Sequence, residues 1–399
     1  MTPGPGINRT PLPKGFFASG VNCGVRRYRP DLGIILSEKP AVAAGVFTLN
    51  QCAGAPVRYC REILPSESVR AIITNSGQAN AATGVEGERA NREMVFEVAK
   101  ELGCYPKEIL AASTGVIGPQ LDLKKILPAI SHMVSRADET AESFALAILT
   151  TDLVPKTVTE TVELSGGVVR ITGICKGSGM IHPNMATMLG YLLTDAEISA
   201  ARADKYLREA VDASFNMISV DGDTSTNDSV FLLANGASGV SVMSEADEVK
   251  FRRALNDVAI FLAQAIAADG EGASKLVEVR VTGATSLDVA KRAARGVTVS
   301  PLVKTAMHGE DPNWGRIIAR LGAEQVSEAE LQRMVLKIQG TILFAEGRPA
   351  TFDRDQVKSS LKKHKIEVEI DFRAGEHRAT AWGCDLSKKY VDINTEYTT

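Results

Sequence analysis

The sequence is poor in the residues that metal centres and base-stacking surfaces use, with five histidines and two tryptophans among 399 residues. Its six cysteines are scattered and include no C-x-x-C pair. That spacing argues against a zinc site and a disulfide framework, and it predicts free thiols in a reducing compartment. No stretch approaches the roughly 18 consecutive apolar residues of a membrane-spanning helix. These absences predict a cytoplasmic protein without a metal centre.

Charges of the two signs are nearly balanced, since 45 Lys and Arg face 48 Asp and Glu for a formal net charge of −3. No basic surface for nucleic acid or an anionic membrane is therefore expected. Hydrophobic residues make up 44% and charged residues 23%, as in ordinary globular proteins. Residues 1–14 are rich in glycine and proline and lack a basic stretch followed by an apolar core, so no signal peptide is expected.

Short apolar runs bounded by turn residues predict strands, and amphipathic segments between them predict helices. Strands are expected at 32–36, 41–47, 69–74, 168–174, 188–193, 230–233, 277–281 and 366–370. Helices are expected at 88–102 and 245–268, and after capping boxes at 194–197 and 327–330, reaching about 213 and 339. No strict βαβ repeat appears, so the pattern predicts an α+β or mixed α/β fold, a two-lobed body of mixed sheets flanked by helices.

The run 176–189 (KGSGMIHPNMATML) contains a candidate nucleophile, Thr187. A threonine hydroxyl is a weak nucleophile unless a base lies beside it, and its own α-amine, once freed by chain cleavage, is such a base. In that scheme the Thr187 hydroxyl attacks the carbonyl of Ala186, the acyl group shifts from nitrogen to oxygen, and water hydrolyses the ester. The same residues also fit an ordinary loop in which Thr187 opens a strand.

This run and several further segments of the chain resemble one protein family. The run 176–189 resembles the processing site of the ornithine acetyltransferase (glutamate N-acetyltransferase) family of arginine biosynthesis. The resemblance continues, in the family's order and across nearly the whole chain, at 75–80 (NSGQAN), 113–118 (STGVIG), 219–228 (SVDGDTSTND), 311–317 (DPNWGRI) and 394–399 (NTEYTT). One such segment is a weak signal, but six in order make chance an implausible explanation.

The resemblance implies self-cleavage of the bond between Ala186 and Thr187. An N-terminal α-chain, residues 1–186, would carry the oxyanion hole and part of the substrate pocket. A C-terminal β-chain, residues 187–399, would begin with the nucleophile and supply the rest of the pocket. The two chains are expected to stay interleaved in one fold and to assemble as a heterotetramer of two α-chains and two β-chains.

An acyl-transfer site needs donors that face the developing oxyanion. Thr114 offers a hydroxyl, and Gly115 offers a backbone amide that a substrate can approach closely. The resemblance assigns the oxyanion hole to these two groups. From the residues alone, a turn or helix cap is the other interpretation.

A pocket for N²-acetylornithine needs a cationic and an anionic anchor, because this substrate carries a carboxylate and an amine. Lys176 and Glu271 have the required charges, although most residues of these types are solvated surface charges. The resemblance implies a substrate pocket lined by Thr150, Lys176, Thr187, Glu271, Asn394 and Thr399. The resemblance does not distinguish Thr150 from the adjacent Thr151.

The acidic and hydroxyl-rich run 221–228 and the run 311–317 are harder to assign from sequence. Loops of this composition mostly form Asx turns that satisfy their own backbone. Both runs are therefore interpreted as structural support near the site.

The function implied by the resemblance is ping-pong acetyl transfer from N²-acetylornithine to glutamate through an acetyl ester on Thr187, without a cofactor. Two alternatives stay open: a bifunctional form that also uses acetyl-CoA as co-substrate, and a self-cleaving aminopeptidase or amidase. A phosphate-binding loop at 176–179 is a further alternative, but neither the P-loop nor the G-x-G-x-x-G pattern is complete there. The expected partners are small-molecule substrates and the chain's own second piece.

Deletion of residues 394–399, or a tag fused after Thr399, is expected to impair acetyl transfer and to leave self-cleavage intact. Chain ends normally fray, so a pocket that uses the last residue should not tolerate an extension there. Denatured intact mass reports cleavage and an acetyl-transfer assay reports turnover, with an N-terminally tagged chain as the control. Undiminished turnover in the extended protein would contradict the assignment of the C-terminus to the pocket.

Overall fold

The computed structural model describes residues 9–182 and 188–396, which form two mixed β-sheets with helices around them. The strands are β1 (Phe16–Val21), β2 (Leu32–Phe47), β3 (Ser66–Gln78), β4 (Ile109–Val116), β5 (Lys156–Leu164), β6 (Gly167–Lys176), β7 (Leu189–Thr194), β8 (Ile218–Ser219), β9 (Ser229–Ala234), β10 (Leu276–Ala284), β11 (Val335–Ile338), β12 (Thr341–Ala345), β13 (Arg348–Pro349), β14 (Lys365–Asp371) and β15 (His377–Cys384). The α-helices are α1 (Ala55–Ile63), α2 (Gly84–Leu102), α3 (Leu123–Ser135), α4 (Glu142–Ala147), α5 (Ala200–Ala213), α6 (Glu245–Ala268), α7 (Leu287–Val299), α8 (Pro301–His308), α9 (Trp314–Ala323), α10 (Glu328–Arg333), α11 (Arg354–Ser360) and α12 (Lys388–Glu396).

The first sheet is organised around β2, whose 16 residues are long enough to pair with three other strands. The order across the sheet is β4-β3-β2-β9-β7-β6-β5, and β1 also pairs with β2. The β3–β4 and β7–β9 pairs are parallel, whereas β2 pairs antiparallel with β1, β3 and β9, and β6 pairs antiparallel with β5 and β7. The sheet is therefore mixed, as the sequence predicts.

Strands from both sides of position 187 share this first sheet. β6 pairs with β7 from Lys176 opposite Leu189 to Ile171 opposite Thr194, and β2 pairs with β9 along six residues of each strand. A cut between residues 186 and 187 would cross neither ladder. Two chains cut at this position would therefore share the first sheet.

The second sheet is formed by strands that all follow position 187, in the order β13-β12-β11-β14-β10-β15-β8. β10 pairs parallel with β14 and antiparallel with β15. Along β14, Ile366, Val368 and Ile370 are buried while the residues between them are partly exposed. This alternation is that of a strand with one face against a core.

Helix α6 connects the two sheets by packing against both, with β5 and β6 on one side and β10 and β15 on the other. Its buried Leu255 and Leu262 belong to one apolar cluster that also contains Leu192 of the first sheet and Val279 of the second. Helices α1 and α4 pack on the opposite face of the first sheet. Although α6 has 24 residues, neither it nor any other described helix is long and apolar enough to cross a membrane.

All eight expected strand runs lie within observed strands, apart from residue 188, which directly precedes β7, and two of the runs belong to β2. Several observed strands are longer, since β3 extends over 66–78 and β10 to residue 284. The helix at 245–268 is confirmed with its expected ends. Helix α2 ends at Leu102, where Gly103 takes the left-handed conformation with φ of 61°, as expected for a glycine that ends a helix.

Three of the expected helices need correction, of which α2 only at its start, since it begins at Gly84. Thr194 ends β7 instead of capping a helix, and α5 begins at Ala200 with Ser199 as its N-cap. The capping box of Ser327 and Glu330 is present, but α10 ends at Arg333. Residues 335–338 form β11 instead of continuing the helix, because their apolar side chains are buried in the second sheet.

Candidate active site

A cavity of about 190 Å³ opens where β4 and β6 end near the loop after α6 and helix α12. Six residues singled out in the sequence line it: Thr114, Gly115, Thr150, Lys176, Glu271 and Asn394. Thr151 lines it too, so the choice between the two neighbouring threonines stays open. The predicted cleavage site, Ala186 and Thr187, and the terminal Thr399 lie outside the described residues.

Gly115 has a backbone conformation that requires glycine. Its φ is +122°, and a Cβ at this position would lie 2.3 Å from the carbonyl carbon of Gly77, its register partner in the parallel β3–β4 pair. The chain therefore presents the Thr114 hydroxyl to the cavity, followed by a backbone unit that no side chain covers.

Lys176, the last residue of β6, is 2% exposed, which excludes the alternative of a solvated surface charge. Its Nζ donates to Oγ1 of Thr114 across 3.4 Å. Burial lowers the pKa of Lys176, and the charge of Asp152 opposes this effect. The cavity thus contains a desolvated lysine beside a hydroxyl.

A buried charge network adjoins Lys176, and the sequence interpretation missed it. Lys156 Nζ donates to Asp152 Oδ1 at 2.7 Å and to Asp269 Oδ2 at 2.6 Å, and all three side chains are buried. Asp152 Oδ1 also accepts from the N–H of Gly177 at 2.7 Å. Burial alone raises the pKa of Asp152, but the charges of Lys176 and Lys156 outweigh it and hold this pKa well below the usual range.

Glu271 supplies negative charge to the same cavity. It is 7% exposed, its N–H donates to the carbonyl of Ser178 at 2.9 Å, and its Oε2 accepts from Nδ2 of Asn394 at 2.8 Å. A Cβ on Gly179 would lie 2.4 Å from this carboxyl group. The second glycine of the KGSG run is therefore what allows the carboxylate to lie against the chain.

The run 221–228 reaches the cavity and does more than the support assigned to it from sequence. Asp221, Asp223, Ser225, Thr226 and Asn227 line the cavity, and so does Tyr390, which sequence reasoning missed. The side-chain amide of Asn227 donates to the carbonyls of Ala79 and Ser113, so it joins three of the motifs noted in the sequence. The run 311–317 contributes no lining residue; its Asn313 caps α9.

A threonine hydroxyl, an uncovered glycine backbone, a buried cation and a buried anion meet in one small cavity of a mixed α/β fold, an arrangement that suits an amino-acid acyltransferase. The chain belongs to the ArgJ family, whose model matches residues 17–399. The family membership expected from the sequence is thereby confirmed.

Individual relatives support the same assignment. The chain is 46% identical over 388 residues to the arginine biosynthesis bifunctional protein ArgJ of Lactococcus lactis subsp. lactis, covering 97% of each chain. It is 46% identical to the protein of the same name from Thermotoga neapolitana, over 97% of this chain and 100% of that one. The crystal structure of ArgJ from Bacillus halodurans matches with 37% identity and a TM-score of 0.51, covering 53% of this chain and 100% of that one. The alternative of an aminopeptidase or amidase is not favoured by these matches.

Replacement of Asp152 by Asn is expected to lower the free energy of unfolding by about 3–5 kcal/mol, because it removes a counter-charge from buried Lys156 and Lys176. The pKa of Asp152 in the folded chain lies below its ordinary value of 3.8, so its ionisation stabilises the fold at neutral pH. This contribution is lost as the pH falls from about 4 towards the folded-state pKa. Urea denaturation between neutral and acidic pH measures both effects, and the wild type should lose stability more steeply than D152N below about pH 4.

The matched control is Asp122→Asn, since Asp122 also pairs with a lysine, Lys125, but is 33% exposed. An exposed pair contributes at most about 1 kcal/mol. Equal losses of stability in D152N and D122N would contradict a buried network that depends on Asp152.

Proposed function

We propose that this chain catalyses acetyl transfer in arginine biosynthesis, moving the acetyl group from N²-acetylornithine to glutamate through an acetyl ester on Thr187. The observation that carries the proposal is the cavity, in which Thr114, Lys176 and Glu271 meet although they come from both sides of position 187. Self-cleavage between Ala186 and Thr187 supplies the free α-amine that activates the threonine hydroxyl.

The charges of the cavity match an amino acid whose α-amine is acetylated. The ammonium of Lys176 is complementary to the substrate carboxylate, and the carboxylate of Glu271 is complementary to the side-chain ammonium of ornithine. Glutamate brings a second carboxylate to the position of that ammonium. Both N–H groups of the Asn394 amide donate within the chain, to Glu271 and to the carbonyl of Tyr390, so a contact with this carboxylate replaces one of these two hydrogen bonds.

Hydrogen bonding around Thr114 supports its assignment to the oxyanion hole. Because the ammonium of Lys176 donates to Oγ1 of Thr114, the hydroxyl proton of Thr114 is left for another acceptor. The oxyanion that forms on the attacked acetyl carbonyl is such an acceptor, and the Gly115 N–H is the second donor in this scheme. The nearby lysine charge strengthens both contacts, because Lys176 and Thr114 are buried.

The reaction divides into two half-reactions. The Thr187 hydroxyl attacks the acetyl carbonyl of N²-acetylornithine, its proton passes to the α-amine, and ornithine leaves with that proton while the acetyl ester remains. The glutamate amine then attacks the ester and regenerates the hydroxyl. An unperturbed α-amine has a pKa of about 7.7–8.0, so a useful fraction is neutral at working pH.

A second candidate reaction, acetyl-CoA as the donor to glutamate, is favoured by the relatives' shared description as bifunctional. Formation of N-acetylglutamate from acetyl-CoA and glutamate, with acetylornithine absent, is the discriminating assay. A product that appears only when acetylornithine is supplied would restrict the chain to the first reaction.

We also propose that the two pieces assemble as a heterotetramer in the cytoplasm. The whole solved chain from Bacillus halodurans covers 53% of this chain, close to the share of residues 187–399, which supports two separate pieces in that relative. All six cysteines are free, and this suits a reducing compartment.

Replacement of Thr114 by Val is expected to lower kcat for acetyl transfer by about 10²–10³-fold with little change in KM, because one oxyanion donor is lost. Steady-state kinetics on the cleaved protein measure this. Thr172→Val is the matched control, because Thr172 is also buried in the first sheet but donates to the carbonyl of Pro11. A kcat for T114V equal to that of T172V would remove Thr114 from the catalytic machinery.

Denatured intact mass of the wild type beside Thr187→Ala tests the nucleophile directly. The wild type should give two chains, with Thr187 at the new N-terminus, and the variant a single inactive chain of 42.6 kDa. Retained activity of an uncut wild-type chain on acetylornithine would overturn the amine-as-base mechanism. An uncut and inactive wild type would overturn the proposed function.

A further inference from the structure

The loop that carries the run 221–228 contacts the chain on both sides of residues 183–187. On the N-terminal side, Asp221 accepts hydrogen bonds from the N–H groups of Met180 at 2.6 Å and Ile181 at 2.9 Å. On the C-terminal side, Oδ1 of Asp228 accepts from the N–H of Met188 at 3.0 Å. One loop therefore holds both flanks of the segment that contains the predicted cleavage site.

After cleavage, the hydrogen bond between Met188 and Asp228 lies next to the new N-terminal residue. Once the bond before Thr187 is broken, this residue is joined to the protein only through its carbonyl carbon, which is bonded to the nitrogen of Met188 at about 1.33 Å. Met188 is itself held by two hydrogen bonds, from its N–H to Asp228 and from the N–H of Ser229 to its carbonyl at 3.2 Å. The second is a backbone contact, so Asp228 is the side chain that fixes this anchor.

We propose that Asp228 is a positioning residue for the nucleophile: its carboxyl group fixes the peptide between Thr187 and Met188, and thereby keeps the threonine hydroxyl within reach of the carbonyl it attacks. The proposal rests on the function proposed above. Asp228 acts through Met188, and it does not line the cavity that receives the substrate.

The surroundings of Asp228 favour an acceptor over a charged group. The residue is fully buried, and within the described part of the chain its Oδ2 has no hydrogen-bond partner. Burial raises the pKa of Asp228 well above its usual value, although the Met188 N–H, the charge of Lys176 and the nearby hydroxyls of Ser225 and Thr48 act against this. A neutral carboxyl group still accepts the hydrogen bond from Met188 through Oδ1. Buried polar atoms without a partner, such as Oδ2, are uncommon in folded proteins, and the role of Oδ1 at Met188 gives a reason for keeping this side chain.

The test compares Asp228→Ala with Asp228→Asn. Self-cleavage is followed over time by denatured intact mass, and kcat and KM are then measured on the cleaved fraction. D228A is expected to slow cleavage and to lower kcat by on the order of 10²-fold, because a nucleophile displaced by about 1 Å loses that much. KM for acetylornithine should change little, since the cavity lining is unaltered. D228N should behave like the wild type within about threefold, because its amide oxygen still accepts from Met188.

Asp195→Ala is the matched control, because Asp195 follows the other end of β7, is 6% exposed and accepts from the backbone N–H groups of Arg170 and Lys14. Melting temperatures show that each variant is folded. If D228A does not fold, Asp228→Ser replaces it, since the shorter side chain does not reach Met188.

Three results would overturn the proposal: wild-type cleavage and turnover in folded D228A, equal slowing in D195A, or D228N as slow as D228A. The last would mean that the acid itself, and not its acceptor oxygen, is required. A wild-type chain that stays uncut and inactive overturns the proposed function, and this inference falls with it. If the wild type is cleaved normally and D228A has the same cleavage rate and kcat, this inference alone is overturned.

Discussion

The register of three neighbouring strands is the constraint on which the rest of the site depends. Lys176 of β6 lies opposite Leu189 of β7, and Leu189 lies opposite Ser229 of β9. The buried cation therefore stands in one row of the first sheet with Leu189 and Ser229, the residues that directly follow the anchor Met188 and Asp228. A slip of one residue would turn every side chain of a strand to the other face, so the apolar core on both faces also fixes the geometry of the cavity.

A second constraint follows from placing Lys176 at the end of that row. A buried ammonium group is tolerated only with hydrogen-bonded counter-charges nearby. Asp152 comes from the segment after α4 and Asp269 directly follows α6, and both meet Lys156 at the start of β5. The positions of these elements are thus tied to one another by charge as well as by apolar packing. The helix that packs against both sheets also brings Glu271 to the cavity.

The family, the fold class, seven of the fifteen described strands and six cavity residues followed from the sequence, because apolar alternation and short motifs are local signals. The network of Lys156, Asp152 and Asp269 did not, because lysine and aspartate are usually solvated and Asp269 is 113 residues from Lys156. The expectation for Thr194 was wrong because a local pattern does not show tertiary burial. The spacing of Thr194 and Glu197 is that of a capping box, but Thr194 is the last residue of the buried strand β7. The run 221–228 was noticed, yet only the tertiary structure shows which backbone amides its carboxylates hold.

Residues with unusual backbone conformation or unusual burial lie close to this cavity. Gly115 has a backbone conformation that no side chain allows, Lys176 is buried beside a hydroxyl, and Asp228 is fully buried with one oxygen unpartnered in the described structure. Each of these features lowers stability, and local inconsistencies of this kind are expected where function demands them. Their convergence at the ends of β4 and β6 and directly before β9 is therefore an argument for the site that does not depend on motif resemblance. The two arguments start from different properties of the chain and lead to the same cavity.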